Sequence, residues 1–414
     1  MPCGILGSAT RKSQRELIRE LLDSVPNAYP PSPDWLVAFL LSSARFVRAS
    51  APLRRKAARP PVVLSPAKFA PSPAFAGLDV PKLATPGDLA KWLDVSVEQL
   101  DWLADSRHQH VNTAIPVLQH YFYTFIPKRA GPPRLIEAPK PRLMAMQRRI
   151  LREILDLAPV HDRAHGFVQG RSSLSAAQMH AGEFAVVTVD LRDFFAATRV
   201  SRVHGICRSL GYPWAVAQAL TRLCTASTPA AVFTQTYDGR LHDWWTRKRY
   251  ASPHLPQGAP TSPALANLCA WRLDQRMAGL ARSVGAQYTR YADDLAFSGD
   301  AAFARKIKGF LASVEHIACD EGFGVNARKT RIMLQSGCQR ITGIVVNRHL
   351  NIPRAAYDEL KAILHNCAKN GPQTQNRNGL PDFRAHLDGR VHWGETVNPR
   401  RGARLRQLFD AIAW

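Results

Sequence analysis

The chain has 414 residues, is 46% hydrophobic and carries a formal net charge of +23. This length can bury a core of two or three packed subdomains, and the charge fits a polyanionic partner such as nucleic acid or an anionic membrane surface, with a merely solvated basic surface as the alternative. The longest apolar run, residues 35–41, is far too short to cross a bilayer, so nucleic acid is favoured and no membrane partner is expected.

The cysteines indicate the redox setting. The seven cysteines are scattered, their number is odd, and no two have the spacing of metal ligands. A disulfide framework is therefore not expected, and a reducing compartment is the default. The first residues lack the basic-then-apolar pattern of a signal peptide, so the sequence predicts a cytoplasmic protein.

The N-terminal region reads as two helices followed by a linker. Ser13 and Glu16 form a capping box that opens an amphipathic helix over residues 13–25. A second helix begins at Ser32 and Pro33. Residues 51–73 are rich in proline and basic side chains and have no apolar period, which is typical of a linker. Such an arm either contacts phosphate backbones or is only a solvated tether, and we assign residues 1–84 to an N-terminal helical extension and linker.

Regular structure is expected again from Thr85 onward. Residues 85–88 predict a helix start, and Ser96 with Gln99 forms a second capping box. Strand-like runs such as residues 184–189 alternate with helical stretches between about residues 120 and 350, which predicts an α/β or α+β core. A last helix over residues 354–369 precedes a basic C-terminal tail.

Three short motifs carry the chemistry. Residues 186–195 read Val-Val-Thr-Val-Asp-Leu-Arg-Asp-Phe-Phe, an apolar strand that reaches an acid at Asp190. Residues 255–263 read Leu-Pro-Gln-Gly-Ala-Pro-Thr-Ser-Pro. In residues 288–297, apolar residues flank Asp293 and Asp294, which predicts a hairpin tip.

Adjacent carboxylates repel each other unless a cation neutralises them. Hard oxygen ligands without His or Cys select Mg²⁺ over zinc. Nucleotidyl transfer needs this arrangement, with one ion at the attacking 3′-hydroxyl and the other at the triphosphate. An ordinary polar turn is the alternative for Asp293 and Asp294 alone, but the order of the three motifs favours the metal site.

The three motifs resemble the palm of reverse transcriptases, and the retron type of bacteria in particular. The resemblance runs from about residue 85 to residue 414. Residues 121–136 are similar to the fingers motif of that family, and residues 165–172 to the stretch before its first catalytic strand. Two retron marks are each altered at one position: Asn-Ala-x-x-His ends at His180 with Ala176 in place of Asn, and Val-Thr-Gly has Ile341 in place of Val.

The resemblance implies an α+β fold shaped as a right-hand polymerase. Residues 85–350 would form the fingers and a palm of antiparallel sheet plus helices. Residues 351–414 would form a small helical thumb that binds RNA.

The resemblance also implies the roles of the site residues. Asp190 and Asp293 would bind both Mg²⁺ ions, with the Leu191 carbonyl as a further ligand and Asp294 as a supporting carboxylate. The substrate dNTP would be held by five further residues: Phe195 as a steric gate against the ribose 2′-hydroxyl, Gln257 beside the sugar, Lys128 and Arg134 on the triphosphate, and Lys329 near the pyrophosphate. The alternatives are a core phenylalanine for Phe195, a loop-stabilising amide for Gln257, and solvated surface cations for Lys128 and Arg134.

Four residues are assigned to RNA by the same resemblance: Arg171, His180, Thr342 and Gly343. A satisfied core histidine is the alternative for His180. An ordinary strand turn is the alternative for Thr342 and Gly343.

The implied function is an RNA-directed DNA polymerase, a nucleotidyltransferase that copies a cognate structured non-coding RNA into cDNA of the msDNA type. In that family an effector protein joins the product in phage defence. The alternatives are another bacterial reverse transcriptase, of the group II intron or diversity-generating type, and a catalytically silent RNA-binding scaffold. Three clustered acids argue against the scaffold.

Overall fold

The computed structural model describes residues 11–24, 33–48, 67–105, 115–128, 133–234 and 244–414. The chain divides into two compact units, residues 1–67 and residues 68–414. No helix within the described ranges is long and apolar enough to cross a membrane.

The described part of the first unit holds α1 (Arg11–Ser24), α2 (Pro33–Ser42) and a short helical segment at residues 44–48. The two helices predicted there are confirmed, but α1 starts two residues earlier than expected, so Ser13 lies inside the helix and is not its N-cap. Leu17 is buried, and Arg45 forms ion pairs with Glu16 and Glu20. Most of the proline-rich basic stretch, residues 49–66, lies outside the described residues, as does Ser32.

Residues 68–84 belong to the second unit. The boundary between the two units therefore falls after residue 67, and not after residue 84 as expected. The backbone N–H of Ala70 donates to the Gly211 carbonyl at 2.9 Å. The Phe69 ring packs edge-on against Tyr212, and Val80 and Leu83 are buried. Proline content marked this segment as a linker, but its apolar side chains join the core.

Two short helices and a strand pair open the second unit. Helix α3 (Pro86–Trp92) begins at the predicted helix start, with Thr85 as N-cap, and α4 (Val97–Leu103) begins at the predicted capping box of Ser96 and Gln99. Strands β1 (Tyr121–Ile126) and β2 (Arg134–Pro139) then form an antiparallel pair. This pair corresponds to the fingers motif of the sequence.

A second sheet of five antiparallel strands forms the centre of the unit. Its strands are β3 (Ala185–Arg192), β4 (Gln287–Tyr291), β5 (Asp294–Gly299), β6 (Gly324–Val325) and β7 (Arg331–Leu334). Strand β3 lies in the middle, with β5 and then β4 on one side and both β6 and β7 on the other. Val186, Val187 and Val189 are fully or almost fully buried, because helices cover the sheet. The fold is α+β, as predicted.

Helices connect and cover these strands. They are α5 (Pro141–Ile150), α6 (Ser173–Gln178), α7 (Phe194–Ala197), α8 (Val200–Ser209), α9 (Trp214–Cys224), α10 (Trp244–Ala251), α11 (Ser262–Cys269), α12 (Trp271–Ser283) and α13 (Ala301–Asp320). A small hairpin of β8 (Arg340–Ile341) and β9 (Ile344–Val345) follows the sheet.

Three helices end the chain and agree with the expected small helical thumb. They are α14 (Arg354–Asn370), α15 (Phe383–Val397) and α16 (Pro399–Asp410). The predicted helix at residues 354–369 is confirmed, but the predicted basic tail folds into α15 and α16. Their apolar faces share a core around Leu387 and Leu405, and Gly402 lets the two backbones approach.

Candidate active site

The three acids of the sequence motifs meet near the end of β3, at the turn where β4 ends and β5 begins. In the pairing of β3 with β5, Asp190 lies opposite Asp294. The Leu191 N–H donates to the Asp293 carbonyl at 2.9 Å, so the hairpin tip is joined directly to β3. The three acids, with Arg134 and Lys329, line one open cavity of about 880 Å³. The tertiary structure therefore brings together carboxylates that are about a hundred residues apart in the chain.

The surroundings shift the titration of the acid pair. Burial raises the pKa of Asp293, and the charge of Asp190 raises it further. Burial also raises the pKa of Asp294 to about 6, with the charges of Asp293 and Asp190 adding to the effect. A cation bound among these oxygens would relieve that repulsion.

The donor set fits a divalent cation held in an open site. Among the described residues no group of three or more His, Cys, Asp or Glu side chains is arranged to hold a metal ion by itself. Instead, hard oxygen donors line an open cavity, and the Lys329 ammonium lies 2.8 Å from one of them. Mg²⁺ is usually bound by one or two carboxylates plus water and substrate phosphates, which matches this arrangement.

Asp190 is held by the segment between β6 and β7. The Asn326 N–H donates to the Asp190 carbonyl at 2.8 Å, and the Asn326 side-chain amide donates to Asp190 Oδ1 at 3.1 Å. Lys329 Nζ lies 2.8 Å from Asp190 Oδ2, and this hydrogen bond raises the pKa of the lysine. Lys329 is therefore a charged group that lines the cavity beside Asp190.

Of the other predicted substrate residues, Arg134 lines this cavity, whereas Lys128, Gln257 and Phe195 are not among the described residues that line it. Arg134, the first residue of β2, is among the cavity-lining residues. Lys128 is exposed just beyond β1. Its pKa is lowered, first by loss of water around the ammonium and then by the nearby Arg134 charge.

Gln257 lies beside β2, because its carbonyl accepts a hydrogen bond from the Glu137 N–H at 2.8 Å. Gly258 has a φ of +132°, and a side chain there would meet the Glu137 carbonyl. The loop that carries Gln257 is thus seated on the strand that carries Arg134. Phe195 is half-buried in α7, next to the buried Phe194 ring.

Two of the four predicted RNA-binding residues are engaged inside the protein. His180 is fully buried, with its ring nitrogens 2.7 Å from Ser298 Oγ and Thr289 Oγ1. Burial lowers its pKa to about 3, so the ring is neutral. This placement matches the alternative of a core histidine, and it leaves no side-chain surface for RNA. Arg171 Nη1 donates to the carbonyls of residues 161, 162 and 164.

The other two predicted RNA-binding residues line the cavity. Thr342 and Gly343 form the turn between β8 and β9, with φ values of +47° and +87°. Thr342 Oγ1 is buried and makes no hydrogen bond with the described residues.

A buried ionic network behind the hairpin escaped the sequence reasoning. Arg290 donates to both Asp274 oxygens, at 2.8 Å and 2.6 Å, and Tyr288 Oη donates to the same carboxylate. Arg290 also donates to Asn267 Oδ1 and to the Ala292 carbonyl in the catalytic turn. All of these side chains are buried. The one available signal was an arginine in the apolar strand that leads to the acid pair.

The sequence of this chain is similar to known proteins over most of its length. Residues 126–346 match the family described as reverse transcriptase (RNA-dependent DNA polymerase). The chain is 40% identical over 333 residues to the retron Mx65 reverse transcriptase of Myxococcus xanthus, covering 79% of this chain and 71% of that one. It is 40% identical to the retron Mx162 enzyme of the same organism, covering 78% of this chain and 66% of that one.

A third relative comes from another bacterium. The retron Ec86 reverse transcriptase of Escherichia coli is 31% identical over 325 residues, which cover 76% of this chain and 88% of that one. Members of the reverse transcriptase family are RNA-directed DNA polymerases that use divalent metal ions. The family match and these relatives together show that the chain belongs to the retron-type reverse transcriptases.

Proposed function

We propose that this enzyme copies a cognate structured non-coding RNA into cDNA by two-metal nucleotidyl transfer, giving an RNA–DNA hybrid of the msDNA type. The observation that carries the proposal is the strand register that sets Asp190 opposite Asp294 and bonds Leu191 to Asp293 in one open cavity. This geometry gathers the carboxylates from two motifs around a space large enough for a nucleotide.

In this proposal Asp190, Asp293 and the Leu191 carbonyl hold two Mg²⁺ ions, and Asp294 supports them. When bound, the ions supply activation of the primer hydroxyl and neutralisation of charge on the triphosphate. Arg134 and Lys128 hold the triphosphate of the incoming dNTP, because fixed cations stabilise the charge that develops there. Lys329 keeps a proton at Nζ for the leaving pyrophosphate.

Primer extension tests the metal assignment. Asp293→Asn keeps the shape of the side chain but removes the charge, and extension on an RNA template with Mg²⁺ should fall by roughly 10³-fold, the upper range for a lost electrostatic stabiliser. Asp358→Asn, at an exposed position on α14, is the matched control and should extend normally. Extension by Asp293→Asn at the control rate would refute the assignment.

We propose that Phe195 excludes the ribose 2′-hydroxyl and that Gln257 borders the sugar. The half-buried Phe195 ring and the docking of the Gln257 loop on β2 support these roles. Arg171 and His180 would affect RNA recognition indirectly, by holding residues 161–164 and strands β4 and β5. Thr342 and Gly343, in the cavity, would contact the RNA or primer backbone directly.

The thumb supplies further support for an RNA partner. A cavity of about 380 Å³ there is lined by His349, Asn398, Arg400, Arg401 and Arg404. Contacts between these arginines and RNA phosphates would release condensed counterions, so RNA affinity should fall steeply as the salt concentration rises. The double substitution Arg400→Ser with Arg401→Ser should flatten the salt slope by about 2, one for each lost phosphate contact. An unchanged slope would remove this cavity from the RNA surface.

We propose that priming starts from a 2′-hydroxyl of the RNA and that an effector protein joins the product in phage defence. Support comes from the retron relatives, and the cytoplasmic setting is supported by the unpaired state of the six described cysteines. Co-expression with the non-coding RNA encoded beside the gene should give DNA joined covalently to RNA. DNA that separates fully from RNA on denaturing gels would contradict this priming route.

A further inference from the structure

We propose that Phe167 positions the Phe195 ring and thereby sets how strongly the enzyme discriminates against ribonucleotides. The proposal rests on the proposed function, because it takes Phe195 as the steric gate. Phe167 is a positioning residue here: it acts through the gate ring and does not itself contact the reacting atoms.

The first observation is an unfavourable backbone conformation. Phe167 has a φ of +59°, in the left-handed region that bulky side chains rarely adopt. The left-handed conformation lowers the population of such a residue roughly 5- to 30-fold, and strained residues of this kind cluster at functional sites. The side chain is 52% exposed, so burial of the ring offsets little of that cost.

The second observation is that the surrounding backbone enforces this conformation. The His165 N–H donates to the Arg290 carbonyl and the Arg290 N–H donates to the Arg163 carbonyl, both at 2.8 Å. Asn267 Nδ2 donates to the Gly166 carbonyl at 2.9 Å. A side chain at Gly166 would lie 2.5 Å from the Ala292 backbone nitrogen. The segment is therefore fastened to the catalytic hairpin immediately before Phe167.

The third observation is where the ring lies. Its centroid is 6.1 Å from that of Phe195 and 6.5 Å from that of Tyr291, the residue that begins the Tyr-Ala-Asp-Asp motif. Phe195 also lies 5.8 Å from Phe194, which packs on the buried Phe323. The gate ring therefore contacts one buried aromatic ring, Phe194, and one exposed aromatic ring, Phe167.

These observations together indicate that the Phe167 ring fixes the position of the Phe195 ring. Aromatic pairs at 4.5–7 Å contribute orientation as well as contact. Without Phe167 the half-buried Phe195 ring would lose its contact with this aromatic neighbour, and its position beside the sugar would be less fixed. A gate that can shift excludes the 2′-hydroxyl less completely, while the metal site is unchanged.

The experiment measures kcat/KM for each rNTP and its matching dNTP in single-nucleotide extension. Phe167→Gly removes the ring and accepts the positive φ, so it should fold normally. It should raise the rNTP-to-dNTP ratio about 2- to 10-fold, the worth of one aromatic pair expressed as a ratio. Phe167→Tyr keeps the ring and should keep the wild-type ratio. Phe184→Ala, another exposed phenylalanine at the far end of β3, is the control and should also leave the ratio unchanged.

A double variant tests whether Phe167 acts through the gate. Phe195→Ala should raise the ratio by itself, and adding Phe167→Gly should change it no further, because coupled residues are not additive. An unchanged ratio in folded Phe167→Gly, or additive effects in the double variant, would overturn the inference. An unchanged ratio in folded, active Phe195→Ala would instead overturn the gate assignment of the proposed function.

Discussion

The acids at the cavity and the buried acid Asp274 on α12 differ in how their charge is balanced. At the cavity, the pKa of Asp293 and Asp294 is raised, and Lys329 approaches only Asp190. Behind the hairpin, Asp274 accepts two hydrogen bonds from Arg290 and one from Tyr288, all out of contact with solvent. The three cavity acids have one contacting cation, Lys329, among the described residues. The Asp274 carboxylate has a hydrogen-bond donor for both of its oxygens.

The difference shows how the enzyme separates positioning from chemistry. A buried pair with every polar atom bonded fixes the strands, because breaking it leaves an uncompensated charge. Acids left with a raised pKa at an open cavity are poised to take up cations from solution. The rigid group lies directly behind the reactive one and bonds to its turn through the Ala292 carbonyl.

The largest expected effect comes from breaking the buried pair of Arg290 and Asp274. Asp274→Leu leaves Arg290 buried without a partner and should lower the free energy of unfolding by about 3–5 kcal/mol. Urea denaturation of the metal-free protein measures this. Asp274→Leu combined with Arg290→Met should recover much of the loss, since no lone charge remains. A single-variant cost below about 1 kcal/mol would mean that the pair is not structurally important.

A second buried pair should make stability depend on pH. His254 Nε2 lies 2.8 Å from Glu137 Oε2 in the core. Burial alone would lower the pKa of His254, but the Glu137 carboxylate raises it above its ordinary value. This stability is fully present below the unfolded pKa of about 6.5 and is lost as pH rises through the raised folded pKa.

The loss should be about 1.4 kcal/mol for each unit by which folding raises that pKa. Urea unfolding between pH 6 and pH 9 measures it. Glu137→Gln removes the charge that holds the proton, so this pH dependence should disappear in that variant. A wild-type stability that rises over the same interval would reverse the predicted sign.

The pair at the cavity should matter little for folding. Lys329 is 62% exposed, and exposed ion pairs contribute about 0–1 kcal/mol. Lys329→Met should therefore change the free energy of unfolding by less than about 1 kcal/mol, while primer extension falls. Lys361→Met on α14 serves as the control for loss of an exposed lysine. A large loss of stability in Lys329→Met would show that Lys329 is structurally important, like the buried pair of Arg290 and Asp274.

The last expected effect is a substitution that raises stability instead of lowering it. In the metal-free protein Asp294 has a raised pKa of about 6, so the folded state binds the proton more tightly than the unfolded state. Stability should then fall as pH rises from about 4 to 6. Asp294→Asn, measured by thermal unfolding with EDTA, should raise Tm slightly at pH 7.5 and lose that advantage near pH 4. A lower Tm at both pH values would show that the charge is compensated.

Local sequence was enough to predict several parts of this protein. The helix start at Thr85, the capping box at Ser96, the strand ending near Asp190 and the hairpin tip at Asp293 depend on near neighbours in the chain, and all four are present in the structure. The resemblance that the three motifs carry was enough to predict the family and its α+β fold.

Only the tertiary structure decided which polar groups pair with which. His180 contacts Ser298 and Thr289 more than a hundred residues away, and Arg171 is bonded to nearby carbonyls rather than presented to RNA. The matching of Arg290 to Asp274 and the strained Phe167 beside Phe195 were equally invisible in the sequence. A sequence shows that a side chain is charged or aromatic, but its burial and its partners are fixed only when distant segments pack together.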